Sequence, residues 1–249
     1  MNRIAIGPEG GFSFGGENFV IAVPMKDARP STPEIFTIAK DEQYLRLYED
    51  LASTFSPRSI LELGIFQGGS YVLLDKLFKP QRMAAVEISR NPVEPLCNYV
   101  ADKKDRFVHF STSQSDEEIL EHIVRNELAN ELDLVVDDAS HAYEQAKASF
   151  EILFPLLQPG GIYLIEDWAW AHAPAYQSAD HPWCKRPALS NLLFEQLMLM
   201  GSKNVIAEIR VWRFLYLIRK AGNAGSGSKA EGGSIFDQIL SRDKKWSLI

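Results

Sequence analysis

Short apolar runs alternate with amphipathic stretches through the middle of the chain. The runs predict buried strands, and the stretches between them carry the apolar spacing and end signals of helices. The predicted strands are residues 60–63, 83–88, 107–110, 132–136 and 162–165, followed by 205–212 and 214–218. Strict alternation of strand and helix is typical of a parallel sheet with helices on both faces, and the last two runs predict an antiparallel hairpin. We therefore expect an α/β protein with a Rossmann-like, doubly wound, mostly parallel seven-stranded sheet.

The two ends of the chain have a different composition. Glycine and proline are frequent in the first 33 residues, where one apolar run, residues 19–23, predicts a short strand in an irregular arm. This arm could pack on the domain, cover a site or reach a second subunit of a homo-oligomer. Apolar spacing over residues 33–52 predicts an amphipathic helix that lies on the sheet. The predicted divisions are an arm (1–33), a main domain (34–220), a flexible linker (221–234) and a tail (235–249).

A glycine-rich turn, within S-I-L-E-L-G-I-F-Q-G-G-S at residues 59–70, follows the first predicted strand. Glycines let the backbone approach a ligand, and a helix start offers unpaired N–H groups. The spacing E-x-G-x-x-x-G differs from the dinucleotide pattern G-x-G-x-x-G, and its glutamate suits a cationic or amine-bearing ligand. It resembles motif I of the class I S-adenosylmethionine (SAM)-dependent methyltransferases. We expect SAM to bind at Glu62, Gly64, Gly68 and Ser70; a tight connection without a ligand is the alternative.

Further SAM contacts are predicted at the ends of the next strands. Glu87 follows the glycine turn by roughly 20 residues, which is where this type of fold binds ribose hydroxyls. A solvated carboxylate at the strand end is the alternative. Gln114 and Ser115 lie where a third loop would meet the adenine ring, next to Asp116, a predicted helix cap. Asp137 could face the methionine amine of SAM or orient another ligand.

The overall composition excludes several classes of partner. The chain has 249 residues, of which 46% are hydrophobic and 24% charged, as is usual for a soluble globular protein. A net charge of −7 argues against binding to a phosphate backbone, so we expect no nucleic-acid partner. No apolar run approaches the length of a membrane span, and we expect no membrane partner. Cys97 and Cys184 form no C-x-x-C pair, which favours the reducing cytoplasm and no zinc site.

Carboxylates follow two consecutive predicted strands, in D-D-A-S-H after the fourth and E-D-W after the fifth. Like charges on one rim of a sheet are unfavourable unless a cation compensates them, and hard oxygen ligands suit Mg²⁺. We therefore predict Asp138, Glu166 and Asp167 as Mg²⁺ ligands. His141 is the predicted general base that removes the proton of a substrate hydroxyl, because its usual pKa lies near neutral pH. A capped helix start is the alternative for D-D-A-S-H.

Four segments together give a specific resemblance: L-E-L-G-x-x-x-G-G-S, Q-S-D, V-D-D-x-S-H and L-x-P-G-G-x-Y-x-I-E-D. They resemble the metal-dependent sugar O-methyltransferases of macrolide biosynthesis and the related family of rhamnosyl O-methyltransferases and cephalosporin hydroxylases. The resemblance covers residues 58–170. It implies Mg²⁺-dependent methyl transfer from SAM to a hydroxyl of a sugar or other polyhydroxylated small molecule in natural-product biosynthesis. The resemblance implies Asp138, Glu166 and Asp167 as metal ligands and His141 as the base, the same residues as those predicted above.

Two other functions remain open from the sequence. A hydroxylase would use the same carboxylates and His141 to hold iron, although its usual second histidine is not evident, because His172 and His181 lie on a loop of unknown direction. The other open function is a non-catalytic SAM-binding module. The carboxylate cluster argues against it, because a pure binding module needs no charged metal site. The loop itself, residues 168–184, is aromatic and without regular structure, which is typical of a binding loop or lid.

Overall fold

A computed structural model of the chain describes residues 3–23, 28–222 and 234–236. The chain divides into two compact units, residues 1–113 and 114–249. Most of the predicted linker, residues 223–233, and most of the predicted tail, residues 237–249, lie outside the described residues.

Ten strands and six α-helices make up the described fold. The strands are β1 (Gly11–Phe14), β2 (Glu17–Ile21), β3 (Phe36–Ile38), β4 (Ser59–Leu63), β5 (Arg82–Glu87), β6 (Arg106–Phe110), β7 (Leu132–Asp137), β8 (Leu157–Glu166), β9 (Ile206–Val211) and β10 (Leu215–Lys220). The helices are α1 (Glu42–Thr54), α2 (Gly69–Phe78), α3 (Glu94–Val100), α4 (Glu117–His122), α5 (Tyr143–Leu153) and α6 (Ser190–Ser202).

Strands β4 to β10 form a seven-stranded sheet in the order β6-β5-β4-β7-β8-β10-β9. The pairs β4/β5, β5/β6 and β7/β8 are parallel, whereas β10 runs antiparallel to both β8 and β9. This confirms the predicted doubly wound, mostly parallel sheet and its C-terminal antiparallel hairpin. The apolar runs predicted the sheet because strands that are covered on both faces carry near-continuous apolar residues, as in the buried residues 83–86 of β5.

The arm of the first unit is more regular than the sequence predicts. Its strands β1 and β2 form a separate sheet with β3, in the order β1-β2-β3, and Phe19 of β2 pairs with Phe36 of β3 in parallel. The helix predicted over residues 33–52 is therefore wrong in its first part, and α1 begins only at Glu42, capped by Asp41. Helical spacing misled the prediction because β3 has only three residues and its partner β2 is distant in sequence.

Strand β8 of the second unit is longer than the predicted residues 162–165. It begins at Leu157 and includes the P-G-G segment at residues 159–161. Gly160 has a φ of +81°, and a Cβ on Gly161 would lie 3.0 Å from the backbone oxygen of Asp133. These glycines accommodate the shift in register between β7 and β8, so they belong to a bulge of the strand.

The remaining boundaries differ only slightly from the prediction. The helix that follows Asp116 consists of α4 and a π-helical segment, Ile123–Glu127. Asp116 caps it, as predicted, by accepting the N–H of Ile119 at 3.2 Å. Within the described ranges, no helix has both the length and the apolar character needed to cross a membrane.

Candidate active site

The glycine turn of the first unit connects β4 to α2. Gly64 has a φ of +82°, and its N–H donates to the oxygen of Val86 at 2.9 Å. Gly68 is the N-cap of α2 at a φ of +80°, and a Cβ on it would approach the Cβ of Leu96 to 3.0 Å. Both positions therefore need glycine, since other residues are strained in this region of φ.

Glu87 ties this turn to the end of β5. One of its carboxylate oxygens accepts the N–H of Ile65 at 3.1 Å, and the other accepts the N–H of Ser89 at 2.8 Å. A cavity of about 500 Å³ lies beside it, lined by residues that include Ser31, Phe66, Gln67, Glu87, Ser89 and Asn91. Each carboxylate oxygen can accept more than one hydrogen bond, so these two contacts leave capacity for a ribose hydroxyl. The contact of Glu87 with a ribose stays a prediction.

The arm forms one wall of this cavity. The N–H of Ser31 donates to the side-chain oxygen of Gln67 at 3.1 Å, and its hydroxyl donates to the backbone oxygen of Gln67 at 2.7 Å. The same hydroxyl accepts the N–H of Thr37 at 2.9 Å. Of the placements that the sequence left open for the arm, the structure therefore places part of it against the glycine turn.

Glu62 and Ser70, the other predicted SAM contacts of this unit, are both buried. Glu62 is completely buried in β4, and Ser70 lies in the first turn of α2 with 8% exposure. Their contacts with SAM stay predictions.

A buried polar network surrounds Asp137 in the second unit. Its carboxylate accepts hydrogen bonds from Gln114 at 3.0 Å, Ser149 at 3.0 Å and Tyr163 at 3.2 Å. Burial raises the pKa of Asp137 to about 6, although the hydrogen bonds and the charge of His141 act in the opposite direction. Burial and the charge of Asp137 also raise the pKa of Tyr163 well above its usual value.

Gln114 links this network to the loop that carries His141. The amide nitrogen of Gln114 also donates to Ser149 at 3.2 Å, while its oxygen accepts the N–H of Ser140 at 3.0 Å. No motif in the sequence indicates this role, because the partners lie 23 to 35 residues away. The adenine contact predicted for Gln114 and Ser115 stays a prediction.

Asp138, His141 and Asp167 form a cluster in which one ligand atom from each residue lies within 4.8 Å of the others. The Nε2 atom of His141 is 3.8 Å from one carboxylate oxygen of Asp138 and 3.8 Å from one of Asp167. Both strands that precede these residues are parallel neighbours, with Asp137 of β7 paired with Ile165 of β8. The oxygen donors fit Mg²⁺, and the half-exposed Asp167 leaves the cluster accessible.

Glu166, which the sequence predicts as a ligand, is not a member of this cluster. It is the last residue of β8, pairs with Leu215 and has only 2% exposure. Asp167 leaves the strand with a φ of +50°, and His141 has a φ of +51°. Non-glycine residues rarely adopt this conformation, and such strain is concentrated at functional sites.

The aromatic loop after Asp167 contacts the loop that carries His141. The indole N–H of Trp170 donates to the backbone oxygen of His141 at 2.7 Å. Trp170 also packs against Tyr176 and Trp183, with ring centroids 5.3 and 5.1 Å away. The sequence identified these aromatic residues only as a binding loop or lid, and no motif pointed to the contact with His141.

The two other histidines of this loop have different partners. Nε2 of His172 is 2.8 Å from the hydroxyl of Ser190, and Nδ1 of His181 accepts the N–H of Trp183 at 3.1 Å. Among the residues that the structure describes, the cluster of possible metal ligands therefore includes one histidine. A non-haem iron site of two histidines and one carboxylate does not match this set.

Similar proteins include several sugar methyltransferases. The chain is 29% identical over 148 residues to the 8-demethyl-8-alpha-L-rhamnosyl tetracenomycin-C 2'-O-methyltransferase of Streptomyces olivaceus, covering 55% of this chain and 36% of the relative. It is 25% identical over 126 residues to the rhamnosyl O-methyltransferase of Mycobacterium tuberculosis, covering 48% of this chain and 49% of the relative. The chain thus spans about half or less of the length of these relatives.

Comparison with solved structures leads to the same group of proteins. The structure of the MycE methyltransferase from the mycinamycin biosynthetic pathway, in complex with Mg and SAH, is 26% identical with a TM-score of 0.53. The match covers 77% of this chain and 50% of that protein. The family model for rhamnosyl O-methyltransferase/CmcI matches residues 35–195, which is more than half of the chain. The chain therefore belongs to the rhamnosyl O-methyltransferase/CmcI family.

Proposed function

We propose that the chain is a SAM-dependent O-methyltransferase that acts, with Mg²⁺, on a sugar hydroxyl of a small molecule in a natural-product pathway. The observation that carries this proposal is the cluster of Asp138, His141 and Asp167, with Nε2 of His141 at 3.8 Å from both carboxylates. The family of the chain supports the same chemistry, as does the likeness of the chain to MycE, which was solved with Mg and SAH.

The methyl donor would be held at the glycine turn and at Glu87. The turn has the left-handed backbone at Gly64 and Gly68 that permits close approach of a ligand, and it borders the cavity of about 500 Å³. Glu87, whose two oxygens already hold the turn through Ile65 and Ser89, would accept the ribose hydroxyls. Glu62 would contribute the negative charge that favours the amine of SAM.

The acceptor hydroxyl would be activated at the acidic cluster. Asp138 and Asp167 would hold Mg²⁺, and Glu166, which directly precedes Asp167, is retained from the sequence as the third proposed ligand. When bound, Mg²⁺ lowers the pKa of a hydroxyl that contacts it. His141 takes the hydroxyl proton on Nε2 while the oxygen forms its bond to the methyl carbon and the carbon–sulfur bond breaks.

The remaining residues around this cluster would orient the reacting groups. Gln114 holds the N–H of Ser140 and so orients the loop in front of His141. Such positioning accounts for much of the acceleration when a methyl group moves between two bound molecules.

The proposal can be tested by measuring methyl transfer from labelled SAM. Suitable acceptors are methyl α-L-rhamnoside and para-nitrophenyl α-L-rhamnoside, because the relatives named above act on rhamnosyl compounds. We expect transfer in the presence of Mg²⁺, its loss with EDTA and its recovery when Mg²⁺ is added back. Transfer that is indifferent to chelation would contradict the metal dependence.

A pair of histidine variants tests the base. His141→Ala should lower kcat by about 100-fold or more, which is the usual contribution of a general base, and leave SAH affinity unchanged. His122→Ala is the matched control, because His122 is exposed at the end of α4 and lies in no part of the proposed site. A chain that binds SAH but methylates neither acceptor would instead support the SAM-binding module.

A further inference from the structure

We propose that Trp170 is a positioning residue that sets the conformation of His141 and makes it depend on the aromatic loop. This inference rests on the proposed function, because His141 acts there as the base. The contact that carries it is the hydrogen bond of 2.7 Å from the indole N–H of Trp170 to the backbone oxygen of His141.

The backbone of His141 needs such a constraint. Its φ of +51° lies in the left-handed region, where a side chain with a Cβ is unfavourable, so surrounding contacts must maintain it. The N–H of Ser140 is held by Gln114 at 3.0 Å, and the N–H of Ala142 by the hydroxyl of Ser140 at 3.3 Å. Trp170 adds a constraint on the carbonyl of His141 itself, and this one comes from outside the network around Asp137.

The other side of Trp170 belongs to an aromatic cluster. Its ring packs edge-on against Tyr176 and Trp183, and Arg186 lies 5.0 Å from the ring centroid of Trp183. The loop is further anchored by His172, whose Nε2 is 2.8 Å from the hydroxyl of Ser190. The hydrogen bond from Trp170 therefore connects the packing of this loop to the backbone of His141.

Contact between the acceptor and the aromatic loop would affect the position of His141. An acceptor whose sugar or aglycone packs on the aromatic loop would hold Trp170 in place and keep the imidazole of His141 between Asp138 and Asp167. An acceptor too small to contact the loop would leave Trp170 less constrained. Trp170 therefore affects kcat and not the affinity for SAM.

The chain offers a matched control for the test. Trp168 is also half-buried, and its indole N–H donates to the backbone oxygen of Trp212 at 2.9 Å. Trp168→Phe and Trp170→Phe therefore each remove one hydrogen bond from an indole to a carbonyl, and only the second one involves His141. Thermal unfolding of both variants shows whether their loss of stability is similar.

The decisive measurements are the imidazole NMR signal of His141, assigned with His141→Ala, and kcat with KM for SAM. We expect Trp170→Phe to shift or broaden the His141 signal and to lower kcat about tenfold, as for the loss of one hydrogen bond, at an unchanged KM for SAM. Trp168→Phe should leave the His141 signal at its wild-type position, because its indole bonds to Trp212 and not to His141. If Trp170→Phe fails to fold, 3-benzothienylalanine at position 170 removes the N–H group and keeps the shape of the indole.

Two results would overturn the inference. In the first, the signal of His141 and kcat are the same in wild type and in the Trp170 variant. In the second, the two tryptophan variants change both quantities equally, which would mean a general structural role. If the wild type methylates neither rhamnoside, the proposed function fails for these acceptors, while the NMR comparison still decides whether Trp170 positions His141.

Discussion

A Cβ on Gly69 would lie 2.3 Å from the backbone oxygen of Thr37. Gly69 is the first residue of α2, and Thr37 is the middle residue of β3, which pairs with β2 of the arm. The sheet that the arm forms with β3 therefore packs directly on the start of the helix that follows the glycine turn, and only a hydrogen atom fits between Gly69 and Thr37. This contact makes the arm part of the first unit's structure around the proposed donor site.

Gly69→Ala should destabilise the chain, because the alanine methyl group would collide with backbone that cannot move away alone. Overpacking of this kind costs about 1–3 kcal/mol, visible as a lower midpoint in urea unfolding at constant slope. Gly201→Ala is the control: it lies in α6 with no atom within 4 Å of a new Cβ. That variant should gain up to about 1 kcal/mol. Equal midpoints for both variants would contradict the close packing at Gly69.

Ser31→Ala should weaken SAH binding. The variant loses the hydroxyl that donates to Gln67 and accepts from Thr37, so the wall of the cavity beside Glu87 becomes less constrained. Loss of about 1 kcal/mol corresponds to a Kd about fivefold higher by titration calorimetry. Ser53→Ala is the control, because the Ser53 hydroxyl is exposed and donates only within α1. An unchanged Kd for Ser31→Ala would show that the arm does not order the donor site.

Removal of any proposed metal ligand should weaken Mg²⁺ binding. We expect Asp138→Asn, Asp167→Asn and Glu166→Gln each to raise the Kd for Mg²⁺ by about tenfold or more in titration calorimetry. His141→Ala should keep Mg²⁺ affinity while losing turnover, and the exposed Asp50→Asn serves as the charge control. The opposite pattern, with affinity lost in His141→Ala and kept in Glu166→Gln, would make the imidazole the third ligand.

Lys220 should make stability rise at alkaline pH. It is buried at the end of β10, where its ammonium group donates to the backbone oxygens of Pro155 and Leu157 at 2.8 Å each. Burial lowers its pKa to about 8. Between pH 8 and the higher pKa of Lys220 in the unfolded chain, the unfolded state binds more protons than the folded state. The stability contributed by Lys220 therefore increases with pH in this range, and it is lost as pH falls through 8.

Urea unfolding between pH 7.5 and 9.5 measures this effect. The gain should be on the order of 1–2 kcal/mol, because the two carbonyl acceptors favour the charged form and limit the shift. Lys220→Met should lack the rise, and Lys185→Met, at an exposed position, should retain it. A rise that persists in Lys220→Met would assign it to another group.

Local patterns predicted most of the parallel sheet. Each apolar run with a glycine or acidic end marked a strand, and the register of parallel strands brought the ends of β7 and β8 to one rim. The same patterns failed for β3, where three residues with apolar spacing resembled a helix, since the pairing with β2 is not a local property.

The sequence by itself determined the doubly wound sheet, the glycine turn and the acidic residues that follow β7 and β8, because periodic burial and strand order are encoded in the spacing of residue types. Only the tertiary structure decided that His141 and Asp167 adopt left-handed backbone, that Glu166 stays buried in the strand and that Trp170 and Gln114 hold the loop around His141. These features arise from hydrogen bonds between residues far apart in the chain, and their geometry exists only once the strands and loops have packed.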